Sequence, residues 1–323
     1  GAVLEEGGVA GAGKRPTITG PAAGCPFLLD ARQVPLYADL RVDEDQVQMK
    51  GCTFCLDNVG TYTTPTVAAM VGQWIDQLRD IRRQRPHVPG ARPLEVLCTD
   101  ERPHPYLPAL FRAIAADPVP SSIGPIELLI KSRVDWLLEF ADGAMAEALD
   151  VAKASGSVLH VYLVGFESFD QFHLDLFNKG VTVDENVRAI EKLRDLHARF
   201  PDTFEYLRHR AHGIVLFTPW TAPEHLLTNA RVMREVRFHE LRSEALKTRL
   251  RLYPRVPLHA LAERDGLLAS HFDEGRGDRA AEQGYDASVP WRFRDPRIEA
   301  IFRVANAPEL RRRGYADADV LEA

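Results

Sequence analysis

The chain has 323 residues, 45% of them apolar and 27% charged, with a formal net charge of -6. That is enough to bury one large α/β core or two small ones, and its mixed charges give no basic field for wrapping nucleic acid. No apolar run reaches the roughly 18 residues needed to cross a bilayer, and four cysteines are too few for a disulfide scaffold, so a reducing cytoplasm is expected. The start at Gly1-Ala2-Val3 lacks Met, a basic n-region and an apolar h-region; it is expected to be an imposed boundary and not a signal peptide.

Residues 1–24 are rich in Gly, Ala and Pro without periodicity, which predicts a mobile lead-in with a short strand at 16–19. From residue 46 onward, short β-like runs alternate with amphipathic helices, the order expected of a parallel sheet covered by helices. The runs fall at 46–50, 94–99, 126–131, 158–165, 213–218 and 249–253. After the first, Val67, Met70, Val71, Trp74, Ile75, Leu78 and Ile81 share one helical face. Farther on, Val187, Ile190, Leu193 and Leu196 form another such face, and Thr182 with Glu185 predicts a capping box at its start. Helices are also expected over 105–116, 136–154, 223–236 and 257–268. The predicted fold class is α/β, with six β/α units in an open doubly wound sheet or a partial barrel; both gather ligands at the C-terminal strand ends. Residues 269–323, charged and carrying Gly275, Gly277 and Gly284, are expected to add a loop and helices near 295–305 and 307–314 that cover the core or mediate assembly.

Cys52 and Cys55 lie in the loop after the run at 46–50, and a two-residue spacer lets both thiolates reach one metal centre. A redox pair, half a zinc site and chance are the other readings, although a redox pair usually opens a helix directly and here a loop intervenes. A cluster needs a third thiolate. Cys25, in the turn-like Gly24-Cys25-Pro26-Phe27, is preferred, its segment folding back over the mouth of the fold, whereas Cys98 sits in an apolar strand and reads as a small buried hydrophobe. The stretch 8–14 has the spacing of a phosphate-binding loop, but Arg15 replaces the magnesium-binding hydroxyl and no strand precedes it. No His-Glu-x-x-His spacing occurs, and His160, alternating within a strand, reads as core or lining.

The loop Met49-Lys50-Gly51-Cys52-Thr53-Phe54-Cys55 with its following β/α units resembles the radical S-adenosylmethionine superfamily. So do Tyr162-Leu163-Val164-Gly165-Phe166-Glu167-Ser168 and Leu176-Phe177-Asn178-Lys179-Gly180, and Phe217-Thr218-Pro219-Trp220-Thr221 and Arg251-Leu252-Tyr253-Pro254 continue the likeness, which is nearest to the cobalamin-associated subgroup. Gln48 stands where the family's Cys-x-x-x-Cys-x-x-Cys motif has its first cysteine, which moves that role to Cys25. The resemblance implies a partial (β/α)6 barrel over 46–268, flanked by an N-terminal extension, 1–45, carrying a cluster ligand, and a C-terminal extension, 269–323. It implies a 4Fe-4S cluster on Cys25, Cys52 and Cys55, and reductive cleavage of S-adenosylmethionine to methionine and a 5′-deoxyadenosyl radical that abstracts hydrogen from a small-molecule or peptide substrate. Asp100 and Glu101 would then bind the cofactor's amino group, Ser132, Arg133 and Glu167 its ribose or carboxylate, and Phe54 would pack near the adenine. A reductase, flavodoxin or ferredoxin would supply electrons. Two alternatives are a cobalamin-dependent methyltransferase and a zinc-stabilised binding module on Cys25, Cys52, Cys55 and a histidine.

Overall fold

A computed structural model of the chain describes residues 15–56, 60–88, 90–117, 120–269 and 289–306. The lead-in before residue 15 and the helix expected at 307–314 lie outside them.

The sheet has six strands: β1 (Thr17–Ile18), β2 (Leu94–Cys98), β3 (Ile126–Arg133), β4 (Val158–Glu167), β5 (Phe204–Glu205) and β6 (Gly213–Ile214). The order is β1-β2-β3-β4-β5, with β6 also on β4, and every pairing is parallel. Period-2 alternation gives the strands two unlike faces. Val96, Cys98, Leu128, Ile130, Leu159 and Val161 point to the helix-covered side and are buried in the main core. Glu95, Glu127, Lys131, His160 and Tyr162 take the other parity. Glu127 is held there by His160 Nδ1 at 2.7 Å and by Arg208 Nη1 at 2.7 Å. The outer parity is therefore apolar, and the other carries ionisable groups beside Leu97, Leu129 and Val158.

Helix α1 (Val67–Gln84) begins where Thr66 accepts the Ala69 N–H, and it buries Met70, Trp74, Ile75 and Leu78 as its spacing predicts. After α2 (Leu107–Ala115) and the single turn α3 (Pro120–Ile123), the helix expected over 136–154 is broken into α4 (Val134–Phe140) and α5 (Ala146–Ser155). Between them Gly143 takes φ -101°, ψ -105°, a break that glycine permits at little steric cost. The sheet is completed by α6 (Gln171–Leu176), α7 (Val183–Arg199), α8 (Pro223–Glu235), α9 (Pro257–Arg264) and α10 (Pro296–Ala305). The capping box of α7 is present, with Thr182 and Glu185 bonded reciprocally. Helix α10 buries Ile298 and Phe302, the latter 5.1 Å edge-on from Phe217. Among the described residues no helix is long and apolar enough to cross a membrane.

Three expected strands are corrected. The short strand at 16–19, and not 46–50, opens the sheet. Gln46 and Val47 close a turn on Asp43 O, and the rest of the run lies against the preceding loop: Ala31 N–H bonds Met49 O and Gly51 N–H bonds Leu29 O, both at 2.8 Å. The alternation that suggested a strand instead sends Met49 into a second apolar cluster with Tyr37, Leu176 and Phe177. The run 213–218 pairs with β4 as a strand over Gly213–Ile214, where the register slips between Gly165 and Glu167 and Glu167 adopts φ 62°. The run at 249–253 retains one parallel bridge, Phe217 to Arg249. Strand β5 was not foreseen: two residues carry no readable period.

Candidate functional site

Because β1 precedes them, Cys25, Cys52 and Cys55 all lie in one connection, from β1 to α1. This corrects the picture of Cys25 reaching back over the mouth from a separate extension. Gly24, at φ 79°, pairs with Tyr62 and sets the Cys25 turn against the end of the same loop. Cys55 N–H bonds Cys52 O at 3.2 Å, closing the second turn. The turn is clamped on the segment after α6. Thr53 donates its N–H to Phe177 O (3.1 Å) and its hydroxyl to Leu176 O (2.7 Å). Asn178 Nδ2 spans Leu29 O at 2.9 Å and Gly51 O at 2.8 Å, so one amide ties both arms of the cysteine loop to the barrel.

Arg133, the last residue of β3, is only 8% exposed and reaches across the mouth. Its Nη1 donates to Cys52 Sγ at 3.1 Å, Nη2 to Lys179 O at 2.5 Å and Nε to Asp135 Oδ1 at 2.9 Å. The Phe27 ring covers the guanidinium at 3.6 Å, a cation–π contact strengthened by burial. Gly180, at φ 64°, makes room for that ring: a Cβ there would stand 3.0 Å from Phe27 Cε2. The Cys25 thiol is pushed up chiefly by burial and further by the charges of Glu101 and Cys52, while the Phe27 amide and Arg133 oppose the shift. Cys25, Cys52, Glu101 and Arg133 thus share one electrostatic neighbourhood. Beside it, Lys179 Nζ lies 3.5 Å from Glu167 Oε1, with side chains 4% and 14% exposed.

The other expected site residues divide. Glu101 pairs with Lys131. Phe54 stands edge-on to Phe177 at 5.2 Å. Ser132 turns its hydroxyl to Arg133 O at 2.8 Å. Asp100 stands apart: its carboxylate accepts Gly20 N–H at 2.8 Å and Trp74 Nε1–H at 2.9 Å, pinning the β1 turn to β2 and α1. Cys98 is buried outside this neighbourhood, its thiol raised well above the usual value by desolvation. Lys179 belongs to this neighbourhood although the sequence does not single it out; the signal is its place beside Asn178, whose side chain holds the loop. Asp170, His173 and His225 also gather at the C-terminal side of β4, with one ligand atom of each within 4.8 Å of the others. Their spacing matches no short motif, so the sequence alone did not join them.

No family model and no curated protein matches the chain. Among solved structures, the cobalamin-dependent S-adenosylmethionine radical enzyme OxsB with aqua-cobalamin and S-adenosylmethionine bound is similar at TM-score 0.56 and 14% identity, over 90% of this chain and 40% of that one. The selenomethionine-labelled apo form gives the same values, and the form with aqua-cobalamin alone gives TM-score 0.50 at 14% identity, over 81% and 38% of the two chains. The fold is of the radical S-adenosylmethionine type. The chain spans about 40% of the length of that enzyme. Arg133 and Glu167 each end a strand and so share the C-terminal edge of the sheet, where Arg133 meets the cysteine loop.

Proposed function

We propose that the chain is the S-adenosylmethionine-cleaving core of a radical enzyme, holding a 4Fe-4S cluster on Cys25, Cys52 and Cys55. The observation that carries this reading is the presence of all three thiols in one clamped β1–α1 loop, with a buried guanidinium on Cys52. Three thiols from one loop suit a 4Fe-4S cluster, in which one iron would stay open to the cofactor.

When bound, the cluster supplies the electron that splits a carbon–sulfur bond of S-adenosylmethionine into methionine and a 5′-deoxyadenosyl radical, which takes a hydrogen atom from the substrate. The protein's own residues bind, orient and exclude water. Arg133 offsets thiolate charge and retains guanidinium N–H groups for a cofactor carboxylate. Glu101 offers an acceptor to the amino group on the same side of Cys25. Lys179 and Glu167 set a fixed dipole at the end of β4, and Phe27, Phe54 and Phe177 keep the neighbourhood apolar. The substrate class is a small molecule or peptide, and a flavodoxin, ferredoxin or reductase serves as electron donor.

The test is anaerobic incubation of the iron-reconstituted chain with dithionite and S-adenosylmethionine. Release of 5′-deoxyadenosine is expected, and its absence from a chain carrying full iron would overturn the proposal. A second reading adds cobalamin, because the similar solved structures are of a cobalamin-dependent enzyme; retention of hydroxocobalamin through gel filtration would favour it.

A further inference from the structure

We propose that Asp170, His173 and His225 form a binding site for one divalent transition-metal ion, separate from the cysteine loop. His173 and His225 occupy the same position, third residue, in α6 and α8, and Asp170 is the N-cap of α6. The geometry of the two helix starts therefore brings a carboxylate and two imidazoles together, their ligand atoms mutually within 4.8 Å. Two neutral imidazoles and one carboxylate are the donor set that borderline ions such as Zn²⁺ or Fe²⁺ prefer, and three protein ligands leave a position open for water or a substrate oxygen.

The surroundings are arranged as those of a metal-binding histidine. His173 is 1% exposed, and its Nε2 lies 3.3 Å from Thr218 Oγ1 and 3.2 Å from Thr221 Oγ1. Thr218 and Thr221 are 3.1 Å apart, and Thr221 donates to Leu216 O at 3.0 Å. That chain ends on a carbonyl, which can only accept. One consistent direction runs from Nε2–H through Thr218 and Thr221 to Leu216 O, leaving the Nδ1 lone pair directed at Asp170. Outer partners of this kind fix the tautomer of a ligating histidine. That Nδ1 lies 3.1 Å from Asp170 Oδ1, so a cation beside them would be bound by both atoms. His225 has its Nδ1 on the Ala222 N–H at 3.1 Å, which leaves Nε2 as its ligand atom, and Phe172 stacks on its ring at 4.7 Å. Asp170 and His225 are partly exposed, so the site has an entry from solvent. Two ring contacts, Phe54 to Phe177 and Phe177 to His173, connect it to the cysteine turn.

The experiment uses the full chain, chelator-stripped, iron-reconstituted, exposed to Zn²⁺ and gel-filtered before elemental analysis. The wild type is expected to retain one zinc in addition to its iron. His225→Ala loses the zinc and retains the iron, whereas Cys52→Ala loses iron and retains the zinc. Asp170→Asn, which retains a helix-capping oxygen, is expected to weaken zinc binding, and Thr218→Val to weaken it by about 10- to 100-fold as loss of an outer partner does. If His225→Ala unfolds, the readout is the rise in melting temperature on adding Zn²⁺, present in wild type and lost in His225→Gln. No zinc in wild type, or zinc that survives in His225→Ala and leaves with Cys52→Ala, would overturn the site. Neither result bears on 5′-deoxyadenosine release, so failure here and failure of the radical reading are distinguishable.

Discussion

A guanidinium 3.1 Å from Cys52 Sγ both offsets thiolate charge and donates an N–H to the sulfur. Positive charge and hydrogen bonds at cluster sulfurs favour the reduced, more negative state, so they raise the reduction potential. Arg133→Met is therefore expected to make the reconstituted cluster harder to reduce in an EPR-monitored titration; an unchanged potential would mean that the sulfur does not feel the arginine. Lys179 and Glu167 form a little-exposed pair, and removing one partner of such a pair costs about 3 kcal/mol, while removing both recovers much of it. Lys179→Met should accordingly lower the denaturant midpoint more than Lys179→Met combined with Glu167→Gln. Two of the buried histidines contribute to a loss of stability in acid. Burial lowers His104 to about 3, and burial lowers His212 to about 4 despite its bond to Tyr206 O. Unfolded, each binds a proton near pH 6.5, so between pH 6.5 and about 4 the unfolded state holds more protons and stability falls as pH falls. For His212 the whole loss is on the order of 3 kcal/mol. His104→Phe with His212→Gln is expected to flatten the change in melting temperature between pH 7 and pH 5; an equally steep change would contradict it.

At the level of elements, helices were more legible than strands because a helical face repeats over many turns while a two-residue strand has no period. The faces of α1 and α7 could be counted from Val67 to Ile81 and from Val187 to Leu196, and their middles are buried as counted, while Val67 at the start of α1 is exposed. The α7 capping box was equally readable, and Thr182→Ala should cost about 1 kcal/mol in thermal or urea unfolding. Alternation at 46–50 suggested a strand that is not there: Gln46 and Val47 turn on Asp43, and the contacts of Met49 and Gly51 are decided by Ala31 and Leu29, which are distant in sequence. The positive φ of Glu167, at the register slip against β6, leaves no trace in composition. Of the site residues, Cys25, Cys52 and Arg133 could be named from spacing and strand ends. The commitment of Asp100 to Gly20 and Trp74 could not, because its partners come from β1 and α1.

For the whole molecule, the order of β/α units was sufficient to anticipate a parallel sheet, and the apolar face under its helices agrees with that arrangement. What the sequence left open was which cysteines share a loop; the position of β1 answers this by placing Cys25 after the first strand. The most direct test is iron and sulfide analysis of the anaerobically reconstituted chain beside Cys25→Ala and Cys98→Ala. About four irons per chain are expected in wild type, retained in Cys98→Ala and lost in Cys25→Ala. Full iron in Cys25→Ala, or a colourless wild-type chain with a single zinc on its cysteines, would contradict the account.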